Sequence, residues 1–443
     1  MRLFLTIVIC KLIKKLAKKL GRGSSFPGQV ALKLYPNILN KIKLPEITIA
    51  VTGSNGKTTT AEMLNHVFTN EGYTVAYNYE GSNQIEGITT LILDNCDNKG
   101  NFLKDVLLME VDERYAKYIF KHFTPKYFII NNLYRDQMTR NGHPEYVLKT
   151  IKDSIHEGSV LFLNADDPLI ASVSKQFDNE VVYFGIDENE YVFDKNDSIY
   201  DDGYYCPVCK HKMVYDYRQF GHVGKYRCLN CDFERPETQY SISDFDLEKG
   251  NIVINEKYKI NLGLKTIFNA YNTLTTFALT DYVLDDKAKN IAKDLNNFEI
   301  KNGRVRNFDV NGNNGTLLIS KHENTISYNR NLDYVVNHNG DVSLLLIIDD
   351  ISRKYFTSDT SWLWDISFEK LSSDNVKQIV VAGKYINDVA TRFVYGGIDM
   401  NKVILFNTTH DAVGYLNDNV IGKLYCLTCF SDQDKLFKEV KVI

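Results

Sequence analysis

One short stretch of the chain carries the residue types that bind nucleotide phosphates. Residues 47–64 read ITIAVTGSNGKTTTAEML, which is an apolar run, a glycine-bearing turn and a helix-like run. In such a turn Gly53 and Gly56 let backbone N–H groups approach phosphate oxygens, and the helix N-terminus faces the anion. Lys57 can then reach the terminal phosphates, and the Thr58 hydroxyl can bind Mg²⁺. The strand, turn and helix context predicts a phosphate-binding loop rather than an ordinary tight turn.

A second set of reactive side chains is a quartet of cysteines. Cys206 and Cys209 form one CxxC pair, Cys228 and Cys231 form another, and 18 residues separate the two pairs. This spacing is typical of a four-cysteine zinc ribbon. Four thiolates complete a tetrahedral shell and leave no open position, so we expect a structural Zn²⁺. A nucleic-acid-reading role is disfavoured because few basic residues lie nearby and the formal net charge of the chain is -4.

Two further patterns carry less chemistry. Cys426 and Cys429 also form a CxxC pair, but they lie in the apolar run KLYCLTCF with no second pair nearby, which predicts core packing. His211 and His222 lie near the cysteine quartet, between its two pairs, and we predict that they are surface residues rather than zinc ligands.

The apolar runs of the chain supply a scaffold for these motifs. From residue 47 onward, short apolar runs alternate with longer amphipathic stretches, which predicts an α/β fold with a mostly parallel sheet covered on both faces. Residues 251–263 predict a hairpin, residues 268–284 a helix, and a second series of strands begins near residue 305. We therefore predict a lead-in at 1–45, a nucleotide-binding domain at 46–304 with the cysteine-bearing insert at about 200–236, and a smaller Rossmann-like α/β domain at 305–443.

The first 20 residues predict a basic amphipathic helix. Apolar residues recur at helical spacing, and lysines fill the remaining faces. The apolar positions are Leu5, Ile9, Leu12, Ile13, Leu16 and Leu20, and the lysines are Lys11, Lys14, Lys15, Lys18 and Lys19. The apolar run is too short to span a bilayer, and no signal-peptide cleavage site follows it. We expect the helix either to dock on the domain with a solvated lysine face or to lie on an anionic membrane surface.

Length and composition limit the class of protein. A chain of 443 residues exceeds what one hydrophobic core usually organises, which predicts two or three domains. Its 44% hydrophobic and 24% charged residues are typical of a globular protein rather than a disordered one. Eight cysteines, four of them in the zinc pattern, indicate a reducing compartment. We expect a cytoplasmic protein, with peripheral contact at the inner face of the membrane left open.

The phosphate-binding segment resembles that of the Mur ligase and folylpolyglutamate synthetase superfamily. It matches the form T-G-[ST]-N-G-K-[ST], whereas a strict Walker loop would need Gly in place of Val51. The resemblance extends through 47–310 and includes MEVDE, LNADDP and FNAYN. It implies an ATP-dependent ligase that phosphorylates a carboxylate, with Lys57 and Glu110 catalytic and with Thr58 and Glu110 holding Mg²⁺. It implies ATP contacts at Gly53, Ser54, Asn55, Gly56, Lys57, Thr58, Thr59, Asn269, Asn272 and Arg304.

Further segments resemble the MurT family, the ligase subunits of lipid II isoglutaminyl synthase. They are GRGSSFPGQVAL, NYEGSNQIEGI, NNLYRDQMTRNG, DTSWLWDISFE and the cysteine quartet, and together they cover nearly the whole chain. Asp136 and Gln137 match this family, where other Mur ligases have Asp-His. The resemblance implies amidation of the D-glutamate α-carboxyl of the lipid II stem peptide to D-isoglutamine, with an acyl phosphate intermediate and ammonia as the nucleophile.

The ammonia is expected to come from another chain. A glutaminase of this class needs a Cys nucleophile on a tight turn with a His base, and none of the eight cysteines has that setting. The resemblance implies a heterodimer with a GatD-type glutaminase that binds the C-terminal domain.

In that family an Asp before the D-[TV]-S-W segment orients the catalytic His of the partner. Asp349 and Asp350 are the candidates here, although the family's ADG sequence is missing and both residues could merely cap a strand. Asp359, Trp362 and Trp364 keep the family form, and we expect the two tryptophans either at the interface or in the core.

Two other functions stay open from the sequence alone. A single-chain amino-acid ligase of the Mur or folylpolyglutamate synthetase type would release phosphate from ATP with a free amino acid and no partner. A zinc-dependent scaffold that has lost catalysis would bind its partners and turn over nothing.

Overall fold

The computed structural model describes residues 1–18, 24–196, 198–299, 305–321, 323–349 and 359–443. The chain divides into two compact units. The first unit comprises Met1–Leu133, Pro144–Asn196 and Asp202–Ile300. The second comprises Tyr134–His143, Asp197–Asp201 and Lys301–Ile443, so two short segments from within the N-terminal half belong to it.

Strands and helices alternate along most of the chain. The strands are β1 (Ile47–Thr52), β2 (Val75–Tyr77), β3 (Val106–Glu110), β4 (Tyr127–Ile130), β5 (Val160–Asn164), β6 (Val181–Ile186), β7 (Met213–Phe220), β8 (Val223–Cys228), β9 (Tyr240–Asp246), β10 (Asn251–Ile254), β11 (Tyr258–Asn261), β12 (Val305–Val310), β13 (Asn313–Ser320), β14 (Val342–Ile347), β15 (Val376–Ala382), β16 (Val403–Phe406), β17 (Lys423–Cys429) and β18 (Lys441–Val442). The helices are α1 (Arg2–Lys18), α2 (Phe26–Leu34), α3 (Lys57–Asn70), α4 (Ile85–Asp94), α5 (Ala116–Phe120), α6 (Met138–Asn141), α7 (Pro144–Lys152), α8 (Pro168–Ala171), α9 (Ile267–Leu284), α10 (Ala288–Asn296), α11 (Thr325–Val336), α12 (Ile386–Tyr395), α13 (Thr409–Leu416) and α14 (Gln433–Phe437).

The first unit is built on one large sheet. Among the described residues, nine strands lie in the order β11-β10-β9-β6-β5-β4-β1-β3-β2. The pairs from β2 across to β9 are parallel, and only β9-β10 and β10-β11 are antiparallel. The predicted α/β class with a mostly parallel sheet is therefore confirmed, and so are the hairpin β10-β11 and the helix α9.

The topology of this sheet gathers polar residues at one edge. The central strands β1, β3, β4 and β5 are apolar and almost fully buried, as expected for parallel strands covered on both faces. Because they run in the same direction, their carboxyl ends meet at one edge of the sheet. The phosphate-binding segment follows β1 there, and Glu110, Asn131 and Asn164 stand at the ends of the neighbouring strands.

The cysteine-bearing insert forms a separate hairpin. Strands β7 and β8 pair antiparallel and make a two-stranded sheet of their own. The inserted ribbon predicted at about 200–236 is thus present, between β6 and β9 of the large sheet.

The second unit contains a seven-stranded sheet among the described residues. Its order is β16-β15-β14-β17-β13-β12-β18, and the strands from β16 to β13 are parallel. Strands β12 and β18 pair antiparallel at one side. One buried apolar cluster includes residues of α11 and α12, and a second includes residues of α13 and α14. The predicted smaller Rossmann-like α/β domain is confirmed.

Helix α1 packs on the first unit, but not through the face expected from the sequence. Its buried residues are Thr6, Ile7, Cys10 and Ala17, which pack against α2 and α4. Leu5, Leu12 and Leu16 of the predicted apolar face are exposed instead. The docked face centres on Ile7 and Cys10, which belong to the buried apolar cluster of the first unit. Lys19 and Leu20 lie outside the described residues. No helix in the described part of the chain is long and apolar enough to cross a membrane.

Candidate active site

The phosphate-binding loop has a backbone that glycine favours. Gly53 and Gly56 have φ angles of 133° and 85°, in the region that other residues rarely adopt. A Cβ on Gly56 would also lie 2.2 Å from Oδ1 of Asn272. The loop is held from the other side by Asn132, whose Oδ1 accepts the N–H of Asn55 at 2.8 Å and whose Nδ2 donates to the Asn55 carbonyl at 3.1 Å. The loop is thus fixed by packing and side-chain hydrogen bonds.

Two cations at this loop are held by carboxylates of the segment that follows β3. Lys57 is the first residue of α3 and is buried, and its Nζ donates to the Gly53 carbonyl and lies 3.1 Å from Oε2 of Glu113. Arg114 Nε lies 3.5 Å from Oδ1 of Asp112. Glu113 was missed from the sequence, although the MEVDE motif contains it and places it three residues beyond Glu110. A buried carboxylate beside the loop lysine fixes where that amine points.

Thr58 and Glu110 form the candidate Mg²⁺ site. The Thr58 hydroxyl donates to Oε2 of Glu110 at 2.8 Å, and Nδ2 of Asn83 lies 3.4 Å from the other carboxylate oxygen. The side-chain amide of Asn78 donates from Nδ2 to the Glu110 carbonyl and accepts the Glu110 N–H at Oδ1, both at 2.9 Å, and so fixes the main chain of Glu110. A hydroxyl and a carboxylate in contact are ligands that suit a hard divalent cation. The two residues proposed as Mg²⁺ ligands are brought together here.

The start of α9 offers a polar group for the purine end of a nucleotide. Thr266 caps the helix, and Asn269 in its first turn donates from Nδ2 to the Leu264 carbonyl at 3.2 Å. Its Oδ1 is buried and has no hydrogen-bond partner within the described protein. A buried acceptor left unpaired is costly, so a ligand donor such as the adenine amino group fits it. Asn272 faces the loop instead, with Oδ1 3.4 Å from the Thr60 hydroxyl.

The remaining predicted ATP contacts are distributed as follows. Ser54 is buried and donates its backbone N–H to the Asn132 carbonyl at 3.0 Å, and Thr59 is half-buried in the first turn of α3. Arg304 lies outside the described residues. The loop, the threonine-carboxylate pair and the orphaned Asn269 oxygen together fit ATP with Mg²⁺.

The four cysteines of the ribbon converge on one point. Their Sγ atoms all lie within 4.8 Å of one another, with Cys206 to Cys231 at 3.8 Å and Cys209 to Cys228 at 3.4 Å. A tetrahedral site with Zn–S bonds of about 2.3 Å has sulfur atoms about 3.8 Å apart. The backbone N–H of His211 lowers the pKa of the Cys209 thiol, whereas burial raises the pKa of the Cys206 thiol, so the geometry of the four sulfur atoms is what indicates a metal site. The cluster is therefore suited to hold Zn²⁺.

The ribbon is tied to the large sheet near the end of β5. Tyr226 donates from Oη to the Ala165 carbonyl at 3.0 Å, and the Gly224 N–H donates to the Asp166 carbonyl at 2.8 Å. At the hairpin tip, the ring of Phe220 lies 5.1 Å from that of Phe268 and 6.0 Å from that of Tyr271, both on α9. The ribbon thus packs against the helix that carries Asn269.

One histidine of the ribbon is not where the sequence suggested. His211 is exposed as predicted, but the surface prediction for His222 is wrong. His222 is buried, and its Nε2 lies 3.6 Å from Oδ1 of Asp167. The tip of the hairpin turns inward onto the sheet edge, which a period-two pattern alone does not reveal.

The CxxC pair of the second unit belongs to its core, as predicted. Cys426 and Cys429 are buried at β17, and burial raises the pKa of both thiols. Among the described residues, the ribbon quartet is the one group found that could hold a metal ion through cysteine or histidine ligands.

Asp349 follows β14 at the carboxyl edge of the second sheet. Its Oδ1 accepts the Lys384 N–H at 3.0 Å, and its Oδ2 lies 2.5 Å from Nζ of Lys435. The Asp349 N–H in turn donates to Asp432 at 3.0 Å. Asp350 and residues 351–358 lie outside the described residues. Asp349 is therefore a partly exposed carboxylate held in place by a lysine.

The two tryptophans divide between core and surface. Asp359 accepts the Ser361 N–H at 2.8 Å at the start of the turn that carries both rings. Hydrogen bonds from the Ser361 side chain and backbone lower the pKa of the Asp359 carboxyl. Trp362 is buried against Tyr328, whereas Trp364 is half exposed beside the more exposed Tyr395. Only Trp364 is available to a partner.

Asp136 takes part in a cluster within the second unit. Its carboxylate pairs with Lys321 and accepts from Nδ2 of Asn324 at 3.0 Å. Gln137 has a positive φ of 49° and precedes α6. In the Asp-Gln pair that stands in place of Asp-His, the Asp136 carboxylate therefore binds residues of its own unit.

Comparison with known proteins adds family relationships to this geometry. The Mur ligase middle domain matches residues 51–280, and the MurT ligase C-terminal domain matches residues 322–432. The MurT subunit of the lipid II isoglutaminyl synthase (glutamine-hydrolyzing) of Staphylococcus aureus (strain COL) is 28% identical over 410 residues, which cover 91% of this chain and 90% of that protein. The subunit of the same name from Streptococcus pneumoniae is 27% identical, over 87% of this chain and 85% of that protein.

Solved structures support the fold. A pseudomurein peptide ligase type C from Methanothermus fervidus superposes with a TM-score of 0.71 at 20% identity, covering 91% of this chain and 81% of that one. MurF from Acinetobacter baumannii superposes with a TM-score of 0.61 at 15% identity, covering 93% of this chain and 80% of that one. At these identities the similarity establishes the architecture.

Proposed function

The chain belongs to the Mur ligase family, and on that premise we propose that it is the ligase subunit of an enzyme that amidates the D-glutamate α-carboxyl of the lipid II stem peptide. The observation that carries the proposal is the order of two domains on one chain. A Mur-type domain with a complete phosphate-binding loop is followed by the C-terminal domain of the MurT type. Both relatives described above are named as MurT subunits of a lipid II isoglutaminyl synthase (glutamine-hydrolyzing).

In the first half of the proposed reaction, a carboxylate oxygen attacks the γ-phosphorus of ATP. An acyl phosphate forms and ADP leaves. Lys57, Thr58 and Glu110 are proposed to carry this step, because they meet at the loop where the terminal phosphates of a nucleotide would lie. The lysine amine offsets charge on the transferring phosphoryl group, and Mg²⁺, when bound by Thr58 and Glu110, would neutralise charge on the phosphate oxygens.

In the second half, ammonia attacks the acyl carbonyl carbon, and inorganic phosphate leaves as the amide forms with loss of a proton. None of the eight cysteines, all of which lie among the described residues, fits a glutaminase nucleophile. Burial raises the pKa of Cys10 and of Cys96 to about 12, Cys426 and Cys429 are buried in the core, and the other four form the ribbon cluster. A catalytic cysteine needs a lowered pKa and access.

We therefore propose a GatD-type glutaminase as the partner, docked on the second unit. The exposed Trp364 and Tyr395 are candidates for the contact surface, because exposed aromatic residues are common at interface hot spots. Asp349, together with Asp350, remains the candidate for orienting the histidine of the partner. Its carboxylate is partly exposed and held by Lys435.

The test is amidation of lipid II by the purified chain with and without a co-purified small glutaminase. We expect glutamine to serve as nitrogen source only with the partner, and ammonium to serve with this chain alone. Lys57→Ala should abolish both reactions, while Lys121→Ala, at an exposed lysine outside the site, should change neither. Phosphate release with free amino acids and no partner would favour a single-chain ligase. Full activity of Lys57→Ala would favour a scaffold without catalysis.

A variant of Asp349 distinguishes a role in glutamine hydrolysis by the partner from a role in this chain. Asp349→Asn should lose glutamine-dependent amidation and keep ammonium-dependent amidation if the carboxylate orients the catalytic histidine of the glutaminase. Equal loss with both nitrogen sources would assign Asp349 to folding of its own unit instead.

A further inference from the structure

We propose that helix α1 lies on the surface of a lipid bilayer that contains anionic lipids, with Leu5, Leu12 and Leu16 inserted at the boundary between headgroups and acyl chains. The proposal does not depend on which substrate the active site amidates, because a membrane surface recognises the helix by charge and apolar area alone. Three observations carry it: the two faces of the helix, the position of its lysines, and the charge distribution along the chain.

One face of α1 packs against the first unit. Thr6, Ile7, Cys10 and Ala17 are buried against the first unit. Two lysines next to this face are also bound to the protein, since Lys11 Nζ donates to the Cys96 carbonyl and Lys14 Nζ lies 2.8 Å from Oδ2 of Asp94. These contacts fix the rotation of the helix about its axis.

The opposite face is apolar and exposed. Leu5, Leu12 and Leu16 have exposed fractions of 48%, 56% and 68%. At 100° per residue, the three positions fall within an arc of about 40° around the helix axis. Met1 is fully exposed at the start of the same helix. Single exposed leucines are common, but three in one line on a helix fixed in rotation form a continuous apolar strip.

One exposed lysine borders this strip. Lys15 is exposed and stands about 60° around the helix from Leu12, whereas the exposed Lys18 stands about 120° from Leu12. A long lysine side chain can lie along apolar surface and keep its ammonium group at the headgroup level. A leucine strip with a lysine beside it is typical of a helix lying in the membrane interface.

The charge distribution indicates an anionic partner. The first 45 residues contain ten Lys and Arg and no Asp or Glu, whereas the whole chain has a formal net charge of -4. Residues 46–443 therefore carry a net charge of -14, and all the excess positive charge is in the segment that contains α1. Clusters of basic residues beside an apolar helix face are attracted to anionic lipid headgroups. A neutral protein surface would gain from the leucines but would not account for this charge pattern.

The experiment is co-sedimentation of the full chain with vesicles of phosphatidylcholine that contain or lack phosphatidylglycerol. We expect binding to the anionic vesicles that weakens as salt is raised, and little binding to phosphatidylcholine alone. The triple variant Leu5→Ser, Leu12→Ser, Leu16→Ser should lower the bound fraction by about tenfold or more. It should fold normally, because the three side chains are exposed in the protein. Leu103→Ser and Leu229→Ser, at leucines of similar exposure (61% and 62%), are the matched controls and should bind like the unmodified chain.

Either of two results would overturn the proposal. Equal binding of the triple variant and the unmodified chain would exclude the leucine strip, and failure of the unmodified chain to bind anionic vesicles would exclude the membrane. If the triple variant instead lost binding to the glutaminase or changed the oligomeric mass in solution, the strip would be a protein interface. Ammonium-dependent amidation of a lipid-free stem peptide reports separately on the proposed function, and the triple variant should retain it.

Discussion

Nε of Arg235 lies 2.6 Å from Oδ1 of Asp166, and the pair joins the segment between β8 and β9 to the loop that follows β5. Asp166 also accepts hydrogen bonds from Tyr271 Oη at 2.6 Å and from the Ile186 N–H at 2.7 Å. Complete burial raises the pKa of the Asp166 carboxyl, and the charge of Arg235 opposes that shift. One carboxylate therefore connects the ribbon, the large sheet and the helix that carries Asn269.

Breaking this pair should be far more costly than breaking an exposed pair of the same ribbon. Arg235→Ala leaves a buried carboxylate without its cation, which is expected to lower the free energy of unfolding by about 3–5 kcal/mol. Arg227→Ala removes an exposed arginine 2.9 Å from Asp216 and should cost less than about 1 kcal/mol. Chemical denaturation of both variants gives the comparison. Equal losses would show that Arg235 contributes no more than a surface charge.

Alanine variants of two glycines distinguish the effect of backbone strain from the effect on nucleotide binding. Gly56 and Gly72 have similar φ angles, 85° and 91°, but a Cβ would meet Asn272 at 2.2 Å in the first case and nothing within 4 Å in the second. Alanine at either position should cost about 1–2 kcal/mol of stability because of the positive φ. Only Gly56→Ala should also weaken ATP binding, measured by calorimetry, because its Cβ displaces the loop. Normal ATP affinity in Gly56→Ala would mean that the loop lies away from the nucleotide.

Metal analysis distinguishes the two CxxC sites. The purified chain should contain one Zn²⁺, Cys228→Ser should lose it, and Cys426→Ser should keep it. Because binding energy of a structural metal is folding energy, a strong chelator should lower the thermal midpoint of the unmodified chain. Since Phe220 packs on α9, we also expect ATP affinity to fall on metal removal. A chelated protein with unchanged stability would contradict a structural role for the cluster.

The two tryptophans should respond differently to alanine. Trp364→Ala removes a half-exposed ring and is expected to weaken the complex with the glutaminase by about 2 kcal/mol or more while leaving the chain folded. Trp362→Ala empties a core position beside Tyr328 and should destabilise the second unit by about 3–5 kcal/mol. Titration of the partner and thermal unfolding measure the two effects. Unchanged partner affinity in Trp364→Ala would move the interface elsewhere on the second unit.

The sequence predicted those features that depend on local residue types. Alternating apolar runs were enough for most strands of both sheets, though not for β9 and β18, and the glycines, Lys57 and Thr58 were enough for the phosphate-binding loop. The spacing of the ribbon cysteines was also sufficient to predict their cluster, because metal binding requires only that four thiolates converge.

The features that the sequence did not reveal depend on contacts between distant residues. Glu113 pairs with Lys57 across 56 positions, and although it lies in the MEVDE motif, the motif does not show which cation it contacts. His222 is buried because the hairpin tip folds onto Asp167. The docked face of α1 consists of Thr6, Ile7, Cys10 and Ala17, so a search for leucines selects the wrong side. Tyr134–His143 lies in the middle of one domain by sequence and belongs to the other unit in space.

The carboxylates beside the phosphate-binding loop have a consequence for the order in which ligands arrive. Lys57 is already paired with Glu113, and Arg114 with Asp112, so with Glu110 the five side chains sum to a formal charge of -1. A site with no surplus positive charge repels a bare polyanion. The nucleotide should therefore enter together with its divalent cation or after it, and the concentration of free Mg²⁺, rather than of ATP alone, should govern how often the site is filled.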